Sequence, residues 1–236
     1  MTADARLIVG LDLPSVAAAE AMVATLGETV SAYKIGLTLL ARPGGVDLAH
    51  ALRAAGKAVF QDWKLHDIGA QVEGAARSVA EGGCDLLTVH AEPQVMRAAV
   101  AGRGDRPTRI LAVTVMTSLS DADLVEIGYS APAAALVEQR VRQAIACGVD
   151  GVVSSPLEAA RVREIAVELG RPDLLIVTPG VRPAGADHGD QQRVATPAAA
   201  LAAGATHLVV ARPIIGAPDP AAAARAIVAE MAAVQS

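Results

Sequence analysis

An acid and a base stand two residues apart in the stretch Ala58-Val59-Phe60-Gln61-Asp62-Trp63-Lys64-Leu65-His66-Asp67-Ile68. The stretch begins as an apolar run of the kind that forms a buried strand, where residues i and i+2 share a face, so Asp62 and Lys64 point the same way. A second acid, Asp67, follows where the strand should have ended. Three charges at the mouth of an apolar strand are costly to desolvate unless they neutralise one another or a ligand. On spacing alone two readings stay open. One is a structural ion pair, which contributes little at a surface; the other is a fixed charge array that meets a charge developing in a reaction and moves a proton.

The elements that would position these charges alternate from end to end. Strands are expected at Leu7–Asp12, Ala32–Ile35, Ala58–Lys64, Leu86–His90, Ile110–Val115, Gly151–Ser154, Leu174–Thr178 and His207–Arg212. Between them lie helical segments near Val16–Leu26, Val46–Ala55, Val72–Glu81, Pro93–Ala101, Ala133–Cys147, Leu157–Leu169, Pro197–Ala203 and Pro220–Val234. Strict alternation over 236 residues predicts a single-domain (β/α)8 TIM barrel spanning 1–236, rather than an open sheet. Thr196-Pro197 and Asp219-Pro220 each set a capping side chain before a proline at the first helical position. Ser155-Pro156-Leu157-Glu158 reads as a capping box. Gly27, Gly56, Gly148, Gly170 and Gly204 fall where helices should end. The one long irregular piece, Pro179–Arg193, is rich in Gly and Asp, and a loop of that kind in a compact domain is usually functional, often a lid.

Composition narrows the class. Hydrophobic residues make up 53% of the chain and aromatics only 2%, so the core must be built from Ala, Val, Leu and Ile. A net charge of −5, without a basic cluster or aromatics to stack on bases, argues against a nucleic-acid surface. No apolar run approaches the roughly 20 residues that span a bilayer, and the N-terminus has no signal-peptide pattern. The chain is accordingly read as soluble and cytoplasmic, with no membrane partner. Cys84 and Cys147 lie in apolar surroundings without metal-ligand spacing and read as buried reduced thiols.

In a barrel of this kind the active site lies at the C-terminal ends of the strands, and polar residues gather there: Asp12, Lys34, Asp62 with Lys64 and Asp67, His90, Thr117-Ser118, Ser154-Ser155, Pro179-Gly180 and Arg212. Ser155 could cap a helix, bind a ligand or do both. His90 reads as a satisfied strand-end histidine, and alternation turns His66 away from Lys64. His50, His188 and His207 have no partner in sequence, so no metal site is expected. The amides of Thr178-Pro179-Gly180-Val181 and the guanidinium of Arg212, before a short helix, suit a phosphate dianion.

With these residues assembled, the whole chain resembles the orotidine 5'-phosphate decarboxylase family. The resemblance rests on Gly10-Leu11-Asp12, Tyr33-Lys34-Ile35-Gly36, Asp62-Trp63-Lys64-Leu65-His66-Asp67-Ile68, Thr114-Val115-Met116-Thr117-Ser118, Thr178-Pro179-Gly180-Val181-Arg182, Gly189-Asp190-Gln191 and Arg212-Pro213. It implies a catalytic tetrad of Lys34, Asp62, Lys64 and Asp67, with Asp67 reaching into the site of the partner subunit of a homodimer. It also implies that Asp12 and Lys34 hold the ribose, that Thr117 and Ser155 lie near the pyrimidine, and that Arg182, Gln191 and Arg212 meet the phosphate. The reaction so implied uses no cofactor and no metal. Two departures stand out: Gly69-Ala70-Gln71 replaces the usual Pro-Asn-Thr, so Gln71 must take the place of a threonine hydroxyl at the ribose, and Ala211 replaces the usual glycine before the phosphate arginine, which is tolerable if its φ stays negative. Rival readings are a magnesium-dependent sugar-phosphate decarboxylase on the same barrel, which is expected to carry Glu where this chain has Lys34, a Schiff-base aldolase, whose lysine needs a depressed pKa that flanking carboxylates oppose, and a nucleotide-binding barrel without activity.

Overall fold

The computed structural model describes residues 3–183 and 195–233. Eight parallel strands close into a barrel in chain order, with the last returning to the first: β1 (Leu7–Gly10), β2 (Ala32–Gly36), β3 (Ala58–Leu65), β4 (Leu86–His90), β5 (Arg109–Val113), β6 (Gly151–Val153), β7 (Leu175–Thr178) and β8 (His207–Val210). The helices around it are α1 (Val16–Leu26), α2 (Leu37–Leu40), α3 (Gly45–Ala54), α4 (Gly69–Glu81), α5 (Pro93–Arg103), α6 (Asp121–Glu126), α7 (Ala133–Ala146), α8 (Ala159–Glu168), α9 (Pro197–Ala202), α10 (Arg212–Ile215) and α11 (Pro220–Ala232).

Side chains alternate along each strand between the barrel interior and the helix layer. Ile8, Phe60, Leu111, Leu175, Val177 and Val209 fill the interior. The opposite faces of the strands meet the helices in two larger clusters, one beneath α4, α5, α7 and α8, the other beneath α1, α3 and α11. With a single Phe and a single Trp in the chain, the fit comes from interdigitated Val, Leu, Ile and Ala. No helix among the described residues is long and apolar enough to cross a membrane.

At the N-terminal end of the barrel one device recurs. Gly83-Cys84-Asp85, Gly148-Val149-Asp150 and Gly204-Ala205-Thr206 each place a left-handed glycine, a buried small residue and an acceptor just before an even-numbered strand. The acceptor takes the amide of the preceding strand: Asp85 from Val59 at 2.7 Å, Asp150 from Ile110 at 2.7 Å and Thr206 from Ile176 at 2.9 Å. Amides that begin a strand have no ladder partner of their own, and these side chains supply one.

The glycines expected at helix ends all have positive φ, and Thr196 and Asp219 cap α9 and α11 as expected. The capping box expected at Ser155 does not form. Residues 156–158 make a turn in which Glu158 donates its amide to the Ser155 carbonyl, so α8 starts at Ala159 instead of Leu157. A capping box does form at Ser120 and Asp123, where it starts the unforeseen helix α6. Strands β1 and β8 stop earlier than expected, which leaves Asp12 in a loop and makes Arg212 the first residue of α10.

Candidate active site

The geometry of the C-terminal mouth begins with an irregularity in β3. Its register against β4 shifts between Gln61 and Leu65, and Lys64 adopts φ +50°, the one positive φ outside glycine among the described residues. A left-handed lysine costs roughly 1–2 kcal/mol and persists only where its surroundings hold it. Two contacts do so. The Lys64 amide donates to Thr88 Oγ1 at 3.0 Å, and its Nζ donates to Asp62 Oδ2 at 2.8 Å.

The charges form a line across adjoining strands. Asp12 Oδ1 lies 3.0 Å from Lys34 Nζ, which lies 3.6 Å from Asp62 Oδ2, which receives Lys64 Nζ. Asp62 is buried, and Thr88 donates to its other oxygen, Oδ1, at 2.8 Å. Burial pushes the Asp62 carboxyl upward; the ammonium groups of Lys34 and Lys64, with hydrogen bonds from Lys64 and Thr88, outweigh it and hold the group below its ordinary range. Asp62 is therefore an anion at neutral pH, and it orients two cations. Their exposure differs: the Lys34 side chain is 11% exposed and the Lys64 side chain 37%. Lys34 is enclosed within the array, whereas Lys64 faces an open cleft.

That cleft, about 540 Å³, is lined by the four charged residues together with Thr117, Ser118, Pro179, Gly180, Arg182 and Arg212. Phe60, Val115, Val153 and Val209 add apolar surface to the same lining. Arg182 is buried and donates to the carbonyl of Val181, while Arg212 is exposed. Ala211, which also lines the cleft, has φ −115°, so its side chain brings no left-handed strain. The lining combines two arginines, which suit a dianion, with apolar surface and an acid–base array.

Asp12, Lys34, Asp62, Lys64, Thr117, Arg182, Ala211 and Arg212 thus share one cleft. Asp67 and Gln71 stand apart from it. Both are exposed and line a smaller hollow of about 230 Å³ with His66, and Asp67 Oδ1 accepts the amide of Ile68 at 2.6 Å. Ser155 is buried and does not line the cleft; its hydroxyl accepts the amide of Leu157 at 3.2 Å. Gln191 and most of the expected lid lie outside the described residues. The His66 ring lies 5.0 Å from that of His90, with Nε2 3.6 Å from Glu92. No group of three or more His, Cys, Asp or Glu able to hold a metal occurs among the described residues. Cys84 and Cys147 are free and buried, and burial pushes the Cys84 thiol up to about 12.

Thr88 is the site residue that the sequence does not single out. Within Leu86-Leu87-Thr88-Val89-His90 it reads as an ordinary β-former. Its role depends on the bulge in the neighbouring strand, which no local pattern announces.

This geometry has close counterparts. The family model described as orotidine 5'-phosphate decarboxylase / HUMPS family matches residues 5–227. A protein of Caulobacter vibrioides named orotidine 5'-phosphate decarboxylase is 66% identical over 234 residues, covering 99% of this chain and 100% of that one. One of the same name from Rhodopseudomonas palustris is 57% identical over 227 residues, covering 96% and 94% of the two chains. The crystal structure of orotidine 5'-phosphate decarboxylase from Lactobacillus acidophilus superposes with a TM-score of 0.82 at 34% identity, covering 97% of this chain and 99% of that one. With its barrel and nearly its whole length matched in this way, the chain belongs to the orotidine 5'-phosphate decarboxylase / HUMPS family.

Proposed function

We propose that this chain decarboxylates orotidine 5'-phosphate to uridine 5'-phosphate, the closing step of pyrimidine nucleotide synthesis, in the cytoplasm and without a cofactor. The observation that carries the reading is Lys64, its Nζ 2.8 Å from Asp62 and its backbone in a strained conformation, at the wall of a cleft of about 540 Å³. Loss of carbon dioxide from C6 leaves an electron pair in the plane of the pyrimidine, where no conjugation reaches it. A fixed cation beside C6 stabilises that pair, and the same ammonium then donates its proton to C6. The C6–carboxylate bond breaks, its electrons remain on C6, and neutral Lys64 regains a proton from solvent.

Asp62 orients Lys64, and Lys34 encloses Asp62 from the other side while reaching Asp12; Asp12 and Lys34 hold the ribose hydroxyls. Thr117, which lines the cleft, lies near the pyrimidine, whereas Ser155 is buried outside that lining with its hydroxyl accepting the Leu157 amide. Arg182 and Arg212 grip the phosphate, joined by Gln191 from the expected lid. The phosphate lies away from the breaking bond, so its binding energy is available to close the site and exclude water.

Asp67 completes the array from a partner subunit of a homodimer. Its exposure, away from its own cleft, supports this, as does the neighbouring Ile68, 65% exposed. Gln71 shares the hollow of Asp67 and would cross with it to the partner's ribose. A magnesium-dependent sugar-phosphate chemistry fits less well, because the place between Asp12 and Asp62 is already held by the Lys34 ammonium, which cannot ligate a metal while protonated.

The test is loss of orotidine 5'-phosphate ultraviolet absorbance by the purified protein in excess chelator, beside Lys64→Ala. Rapid turnover that falls by about 10⁴-fold or more in the variant is expected, general-acid and charge-stabilising contributions being lost together. Absence of turnover, or turnover that appears only with magnesium, sinks the reading.

A further inference from the structure

One side chain on the neighbouring strand touches both the left-handed backbone of Lys64 and the Asp62 carboxylate. We infer that the Thr88 hydroxyl is a positioning residue that sets the geometry of the Asp62–Lys64 pair, an inference that rests on the decarboxylase reading for its catalytic consequence but not for its structural one.

The hydrogen-bond directions are fixed by chemistry. A hydroxyl has one proton and two lone pairs. The Lys64 amide can only donate, so Thr88 Oγ1 accepts there, at 3.0 Å. The ionised Asp62 carboxylate can only accept, so the Thr88 proton goes to Oδ1, at 2.8 Å. Thr88 thereby assigns the two carboxylate oxygens to different tasks: Oδ1 is tied to β4, which turns Oδ2 toward Lys64 at 2.8 Å and Lys34 at 3.6 Å. On its other side it replaces a ladder partner that the bulge removes. Between Gln61 and Leu65 the β3–β4 register shifts, and the Lys64 amide finds the Thr88 side chain instead of a β4 carbonyl.

Thr88 is fully buried and does not line the cleft, so it touches no substrate and acts through Asp62 and Lys64. A residue that only filled space here would be matched by valine, which has the same shape and no hydroxyl. One that positions the pair would be matched by serine. The groups facing Asp62 are Lys34, Lys64 and Thr88, and the Thr88 hydrogen bond is one of the influences that keep the carboxyl ionised.

The experiment compares wild type, Thr88→Val and Thr88→Ser in two measurements: steady-state decarboxylation, and titration of the Asp62 carboxyl by carbon-13 NMR in the unliganded protein. In Thr88→Val, kcat should fall by about 10²-fold, the usual consequence of removing one preorganised donor, while KM changes by less than about threefold; the Asp62 carboxyl should titrate higher than in wild type. Thr88→Ser should keep kcat within about threefold and leave the Asp62 titration unchanged. Wild-type kcat and titration in Thr88→Val overturn the inference. So does a Thr88→Ser variant whose kcat falls and whose Asp62 titration moves, and that outcome can be read even where the valine variant does not fold. If the wild-type chain does not turn over orotidine 5'-phosphate, the decarboxylase reading fails by itself, and the NMR titration still decides whether Thr88 sets the state of Asp62.

Discussion

Charged residues gather at both rims of the barrel, yet the two rims use them in opposite ways. At the N-terminal rim Asp85 accepts the Val59 amide and pairs with Arg53 at 3.0 Å, and Asp150 accepts the Ile110 amide and pairs with Arg103 at 2.9 Å. Lys57 donates to the carbonyls of Gly27 and Val30. These charges close backbone hydrogen bonds and helix ends. The hollow at that rim, about 400 Å³, is lined mostly by apolar residues such as Ile8, Phe60, Leu86 and Leu175, with Asp85, Arg109 and His207 among them. At the C-terminal rim Asp12, Lys34, Asp62 and Lys64 pair with one another, and Lys64 accepts backbone strain to do so. Charges engaged by the backbone stabilise the fold, whereas charges engaged by one another across a cleft remain available to a ligand.

The sharpest way to break this contrast is to take one charge from each rim. Arg212→Ala, at the mouth, should lower kcat/KM for orotidine 5'-phosphate by about 10²-fold or more, because a charge-assisted contact to phosphate is lost, while the denaturation midpoint hardly moves. Steady-state kinetics beside urea titration checks both halves, and wild-type efficiency would remove Arg212 from the phosphate site. Asp85→Ala, at the floor, should do the reverse. It leaves the Val59 amide without its acceptor and should destabilise the fold by about 1–3 kcal/mol, with kcat per folded molecule unchanged. An unstable but equally active variant upholds the division of labour; a stable and inactive one contradicts it.

How legible each rim is in the sequence follows from this difference. The alternation of β-rich and Ala-rich segments predicts the barrel because each element carries its own periodicity, and the residues that share the cleft come from strand ends that the fold class already nominates. The floor device is equally local, a Gly-x-Asp or Gly-x-Thr before a strand, although the spacing by itself marks only the glycines, as helix ends. The mouth is less legible. Asp62 and Lys64 do meet as spacing suggests, but through a bulge and a positive φ at a lysine, a conformation chosen by tertiary contacts against local preference. Thr88 depends on that bulge and has no signature of its own. Position along the chain puts Ser155 at the mouth, but the turn at 156–158 sends its hydroxyl to Leu157 instead. Asp67 has the right sequence but stands outside its own cleft, since its proposed task needs a second chain.

The strain at the mouth can be measured directly. Glycine in a strand is usually less stable than alanine by roughly 0.5–1 kcal/mol. At position 64 the order should invert. Both Lys64→Gly and Lys64→Ala remove the ammonium and leave Asp62 with Lys34 alone, so their difference isolates the backbone. With φ at +50°, Lys64→Gly should be the more stable of the two by about 1 kcal/mol, and both should lack activity. Equal stabilities in urea would mean that the left-handed conformation relaxes once the lysine is gone, and that the ammonium, not Thr88, holds it.

The smallest effect separates the two histidines beside the mouth. Burial lowers the His90 imidazole below 6.5, against the pull of Glu92 upward and with the help of His66, Arg140 and Lys64. The sign of the linkage follows: the unfolded chain takes up its proton near 6.5 while the folded chain declines it, so the contribution of His90 to stability is fully present above 6.5 and is lost as pH falls toward the folded value. Asp62, whose carboxyl is held low, has its window further down, with stability present above an unfolded value of about 3.9 and lost only as pH falls through the folded value. Urea titrations from pH 7.5 to pH 5 should therefore show a modest decline, to which His207, also lowered by burial, contributes, and which His90→Gln reduces and Asp62→Asn does not. A decline that His90→Gln leaves unchanged would assign it to other groups, the half-buried His207 at the floor first among them.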